Sequence, residues 1–215
     1  MKPASCATGV LVLTAFAAGL VDVLSFAKLG GVFTSAMTGN LALLGFYAST
    51  GAVRSAIKST IALAGFIVGC AIGTIQGRRQ TNRSAARRIL ALETLIIAAC
   101  AIGSVQLSLS ARADLLQVEI LLLAFAMGLQ SIVGARLGQT NVVFTMTLVK
   151  IVSALIGSAR AESTAGERLR DAAIVIAYLA GALIAGLAIA THFAPALFVP
   201  VVAIGIAFFI ARGVE

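Results

Sequence analysis

An aspartate inside an otherwise apolar stretch is the first residue of this sequence that invites a chemical reading. Asp22 follows closely on Leu13-Thr14-Ala15-Phe16-Ala17-Ala18-Gly19-Leu20. A charge held in hydrocarbon costs at least about 2.5–3.5 kcal/mol on insertion scales, so it needs a partner or water. Further along, Met37-Thr38-Gly39-Asn40 places a hydroxyl, a flexible backbone position and an amide at the start of a short apolar segment. Carboxylate, hydroxyl and amide groups together could coordinate a cation or pass a proton. A half-helix opening near Thr38 would also aim unpaired N–H groups at an anion or a carbonyl. The same residues admit a structural reading, with Thr38 or Asn40 capping its own helix. Thr140-Asn141 and Thr145-Met146-Thr147 repeat the pattern later in the chain. Thr145 and Thr147 would face Thr38, Gly39 and Asn40, unless their hydroxyls bond back to carbonyls of their own helix. Lys150 is a second deep charge, able to pair with Asp22 or to snorkel along its stem. Glu93, near Arg87 and Arg88, and Glu119, near Arg112, are expected at the interfaces.

Other chemistries find no residues to carry them. His192 is the only histidine, and Cys6, Cys70 and Cys100 lie far apart without a partner at metal-ligand spacing. The cysteines read as small buried hydrophobes, so neither a metal site nor a cofactor is expected. Without a Gly-x-Ser-x-Gly element or paired catalytic carboxylates, no catalytic residue is assigned and the chain is not expected to be an enzyme.

The elements that must position these groups are membrane helices. Of 215 residues, 60% are apolar and 11% charged, and the mean hydropathy is +1.06. A soluble domain carries about 25% charged residues, so a solvated shell, and with it a soluble enzyme or nucleic-acid-binding domain, is excluded. The net charge of +8 resides in arginines between apolar runs, which points to anionic lipid at the cytoplasmic face and not to nucleic acid. Eight apolar stretches occupy residues 8–26, 36–48, 57–77, 89–108, 115–133, 141–156, 172–191 and 194–211. Connections are brief, so one polytopic membrane domain over residues 1–215 is expected.

Residues 13–20 read LTAFAAGL, and residues 122–129, 109 positions later, read LLAFAMGL, identical at six of eight sites. The repeat divides the chain into halves of about 1–108 and 109–215. It makes the first stretch part of the fold, where a signal peptide would be cleaved. If all eight stretches span, basic residues divide evenly between the two faces. If the second and sixth, the two short ones, re-enter the face they leave, six helices span, both termini are cytoplasmic, and eleven basic residues lie inside against four outside. The six-helix model is therefore preferred over the eight-span alternative. The fold class is then an all-α membrane protein of two inverted three-helix repeats, an architecture that recurs in transporters, with the site where the repeats meet.

Gly65, Gly69, Gly73 and Gly77 recur every fourth residue on one stripe, and Ala177, Gly181 and Ala185 do so in the repeat partner. Small residues at this spacing let helices approach closely, within a subunit or between copies in a homo-oligomer.

Through Gly19-Leu20-Val21-Asp22, Met37-Thr38-Gly39-Asn40, and Met127-Gly128-Leu129-Gln130 followed by Thr145-Met146-Thr147, the chain resembles the YoaK-like family of bacterial integral membrane proteins, whose function is undefined. The family usually has Thr-Gly-Thr where Met146 stands here, and an Asn where Ser131 stands. The resemblance covers nearly the whole chain and implies a small multi-pass inner-membrane protein. It adds Gln130 to the candidate solute-contacting residues Asp22, Thr38, Gly39, Asn40, Thr145 and Thr147. The expected function is a transporter or channel-like protein for a small polar solute or ion. The alternative is a non-transporting membrane scaffold or assembly partner, in which the same groups only satisfy buried backbone.

Overall fold

The structure, a computed structural model, describes residues 3–78, 80–106, 109–138, 152 and 164–214. Among these residues the elements are all helical: α1 (Pro3–Lys28), α2 (Met37–Ser49), α3 (Val53–Gly77), α4 (Asn82–Gln106), α5 (Leu109–Arg136), α6 (Ala165–Ala190) and α7 (Phe198–Ile210). Short 3₁₀ turns at Ala194–Leu197 and Ala211–Gly213 flank α7. Six segments are long and apolar enough to cross a bilayer: Ser5–Lys28, Val53–Gly77, Asn82–Gln106, Leu115–Arg136, Gly166–Ala190 and Pro195–Gly213. Large apolar side chains such as Leu41, Ile67, Leu95, Leu183 and Val202 stay exposed on the outside of the bundle. In a bilayer that surface faces lipid tails, at no hydrophobic cost.

α4 and α6 begin seven residues before their apolar stretches because polar residues start them. The Thr81 hydroxyl accepts from the Ser84 N–H at 3.3 Å ahead of α4. Thr164 and Glu167 form a reciprocal capping box at the head of α6.

The short stretch at 36–48 becomes α2, whose 13 residues reach only about 20 Å. Both its flanks lie at the face where α1 ends. A Cβ on Gly30, just past α1, would collide with the Lys58 ammonium on α3, and one on Gly31 would stand 3.3 Å from the Tyr47 hydroxyl near the end of α2. The chain therefore leaves α1, dips back through residues 29–36, and returns outward along α2 before α3 crosses. The other short stretch, 141–156, with Thr145, Thr147 and Lys150, lies outside the described residues.

Helix direction fixes the relation between the halves. α1 and α6 are parallel: Leu11 and Ala15 cluster with Ile174 and Ala177, and Leu20 and Leu24 with Ala185. α3 and α5 are parallel as well, since Gly65, Gly69, Gly73 and Gly77 meet Leu121, Phe125, Ile132 and Arg136 in turn. α1 and α5 run oppositely. Gln130 reaches Thr14, whereas Leu24 and Ser25 share a cavity with Glu119 and Leu123. The first helix of each half thus packs along the third element of the other half, α1 on α6 and α5 on α3, while α4 lies against α7. This is the exchange that a two-fold relation between inverted repeats produces. α1 and α5 are the central pair, with 67% and 61% of their spanning windows buried, against 28–39% for the other four spans.

The two exchanged pairs are closed by reciprocal glycines. A Cβ on Gly19 would strike the Tyr178 carbonyl and one on Gly181 the Phe16 carbonyl; a Cβ on Gly69 would strike the Phe125 carbonyl and one on Gly128 the Phe66 carbonyl. Backbone meets backbone at each crossing, which only glycine allows.

Candidate functional site

Two glycines with positive φ, Gly30 at 88° and Gly31 at 80°, turn the chain back after α1 in a conformation that other residues rarely adopt. The returning strand of chain brings Phe33 onto Phe26, ring centroids 4.8 Å apart, and delivers Thr34 and Ser35 to Asp22. The carboxylate of Asp22 is fully buried and takes five hydrogen bonds. Oδ1 accepts from the Thr34 N–H (2.8 Å), the Thr34 hydroxyl (3.2 Å) and the Ser35 N–H (2.7 Å). Oδ2 accepts from the Ser35 hydroxyl (2.6 Å) and from the Tyr178 hydroxyl of α6 (2.8 Å). The charge also sits just ahead of the first turn of α2, at the positive end of its dipole.

Asn40 grips the same loop one residue earlier. Its Oδ1 accepts from the Phe33 N–H at 2.9 Å, and its Nδ2 donates to the Phe33 carbonyl at 2.6 Å, an amide completing both backbone bonds of one residue. Gly39 passes the Phe33 ring so closely that a Cβ would lie 3.0 Å from it. Asp22, Gly39 and Asn40 therefore converge on Phe33–Thr34–Ser35 as fasteners of the re-entrant loop. Their polar atoms are directed at protein groups.

The remaining candidates lie elsewhere. Thr38 is exposed on the outside of the bundle. Gln130, on α5, is buried and donates from Nε2 to the Thr14 carbonyl at 3.1 Å, with its Oε1 lacking a partner among the described residues. That bond joins the two central helices across the seam of the halves, eight residues below Asp22 on α1.

Glu93 corrects the expectation of an interfacial side chain. It lies on the face of α4 that carries Ala86, Ile89, Leu90, Ile97 and Ala101, all buried, and is itself 0% exposed. Helix face decides this: Arg88 is exposed, and five residues on, the chain has turned Glu93 inward. Neither carboxyl oxygen has a hydrogen-bond partner among the described residues.

Near the face where α1 ends, a cavity of about 80 Å³ opens at the seam, lined by Leu24, Ser25, Lys28 and Leu29 from the α1 side, Ser104 of α4, Glu119 and Leu123 of α5, and Leu197. It has room for a few waters or a hydrated ion. An adjoining cavity of about 150 Å³ shares Ser104 and Glu119 and is otherwise mostly apolar. The Ser25 hydroxyl at the first cavity is buried and unpartnered among the described residues. An ammonium, a carboxylate and hydroxyls at one opening suit a small ion or a zwitterion, and supply no nucleophile with a base beside it. Among the described residues no three His, Cys, Asp or Glu side chains come together as metal ligands.

Three residues of interest escaped the sequence reading: Tyr178, Ser25 and Ser104. The signal for Tyr178 was available, since a tyrosine hydroxyl in an apolar span has to find an acceptor and Gly181 one turn on marks the face that meets α1.

The family described as protein of unknown function, DUF1275, matches residues 10–210. The chain is also similar to the UPF0700 transmembrane protein YoaK of Bacillus subtilis (strain 168), 31% identical over 214 residues that cover 95% of this chain and 93% of that protein. No solved structure matches the chain. A family match that runs from α1 to the end of α7, through six apolar spans, means that this integral membrane protein belongs to the YoaK-like DUF1275 family.

Proposed function

We propose that this protein is a transporter or channel-like protein of the bacterial inner membrane for a small polar solute or ion, working between two inverted halves. The observation that carries the reading is the polar cavity at the seam, bounded by α1 of one half and α5 of the other and holding Ser25, Lys28, Ser104 and Glu119. On α4, Glu93 lies eleven residues from Ser104, close to three full turns, so the two share a face about 16 Å apart. Ile97 and Ala101, both 0% exposed, fill the space along α4 between them. Opening that apolar plug would join the cavity to the unpartnered carboxyl. The eleven-to-four division of basic residues supports cytoplasmic termini and a cytoplasmic loop at residues 78–88, which turns the cavity outward.

Solid-supported membrane recordings from reconstituted vesicles, with inorganic ions, amino acids and other small zwitterions applied in turn, test the reading. A current is expected for at least one solute, lost in Glu119→Gln and Glu93→Gln and kept in Thr38→Ala. Silence across the whole panel, from protein shown to be folded, would reject transport. Reporter fusions at both termini and in the 78–88 loop should read one side.

One observation favours the scaffold reading instead: Asp22 and Asn40, the groups best suited to a solute, are spent on the loop. That reading predicts an unchanged, silent vesicle and a role lost only when the fold is lost.

A further inference from the structure

The face where α4 begins carries a different kind of site. Between α4 and α7 a groove of about 360 Å³ is lined by Ser84, Arg87, Arg88, Ala91 and Phe208. The Arg87 guanidinium stands 5.1 Å from the centre of the Phe208 ring, and its Nε is buried without a hydrogen-bond partner among the described residues. Arg88 is exposed beside it. Neither Arg87 nor Arg88 forms an ion pair with another described residue. Farther into the membrane, α4 continues along the same face with Leu95, 68% exposed. The groove is therefore cationic at the interface and apolar immediately below, and an aromatic ring fixes one of its two guanidiniums.

We propose that this groove binds one anionic phospholipid. The phosphodiester lies on Arg87 and Arg88, whose planar donors match phosphate oxygens in pairs, and an acyl chain runs down past Ala91 towards Leu95. A free phosphate offers the same charge, but it leaves the apolar track empty. The site is independent of any transport activity.

Native mass spectrometry of the detergent-solubilised protein, titrated with phosphatidylglycerol or phosphatidylcholine, tests this directly. Phosphatidylglycerol should remain bound at least about five-fold more than phosphatidylcholine, and Arg87→Gln/Arg88→Gln should remove that difference. Arg54→Gln, which removes an exposed charge at the opposite face, should leave it intact, and Arg87→Lys/Arg88→Lys should restore part of it. If the double variant does not fold, Arg88→Gln alone should lower retention about two- to three-fold. Equal retention of the two lipids, or equal loss in Arg54→Gln, overturns the proposal. Displacement of the lipid by millimolar inorganic phosphate would identify a free-anion site and overturn it as well.

Discussion

Asp22 and Glu93 are both fully buried carboxyl groups in membrane helices, yet their surroundings are opposite. Asp22 is enclosed by five donors from a re-entrant loop and a distant helix, whereas Glu93 has no partner among the described residues. Burial alone therefore says little about role. A carboxylate whose lone pairs are all engaged holds the fold and has nothing left for a ligand. One with none engaged is a cost to the fold, which is the usual mark of a group kept for another purpose.

Removing Asp22 should have the largest effect. Asp22→Ala removes the acceptor of the Thr34 and Ser35 N–H groups and of three hydroxyls, and is expected to lose about 3–5 kcal/mol, read as loss of monodisperse protein or a collapse of thermal stability in detergent. Asp22→Asn should lose less, about 1–2 kcal/mol, because Oδ1 survives for the two N–H donors and the hydroxyls can turn to accept. Near-normal stability in Asp22→Ala would dissolve the contrast. Glu93→Leu should move the other way, gaining about 1–2 kcal/mol as an unpartnered buried carboxyl gives way to a side chain that matches Ile89 and Ile97. A lower melting temperature would mean that Glu93 has a structural partner after all. Tyr178→Phe removes one of the five donors and should cost about 1 kcal/mol, with the loop still held by Thr34 and Ser35. Thr38→Ala is expected to stay within about 0.5 kcal/mol of the parent, which separates the exposed hydroxyl from its buried neighbour Asn40.

The spans were legible because lipid imposes length and composition on each helix, and the arginine count favoured a segment that re-enters, as α2 does. The polar starts of α4 and α6 were not, since Thr81, Thr164 and Glu167 extend each helix outside the apolar stretch. At the site, residue type marks Asp22 and Asn40 as polar groups in need of partners but cannot name those partners. Four of the five donors to Asp22 come from Thr34 and Ser35, two of them backbone groups that carry no sequence signal, and the fifth is 156 residues away. The short distance along the chain from Arg88 suggests an interface for Glu93, but its direction around α4 turns it into the bundle. Thr145 and Thr147 remain expectations, outside the described residues.

The ribosome delivers Asp22 to the membrane long before it delivers Tyr178. At about 5–20 residues per second, the 156 residues between them take roughly 10–30 s to synthesise, and for all that time α1 lacks the helix that will cover Gly19 and complete the carboxylate's shell. Thr34 and Ser35 follow within 13 residues, so the re-entrant loop can clothe the charge almost as soon as α1 emerges. The loop thus acts as a built-in escort during insertion, letting a charged helix wait in lipid for a partner that is translated 156 residues later.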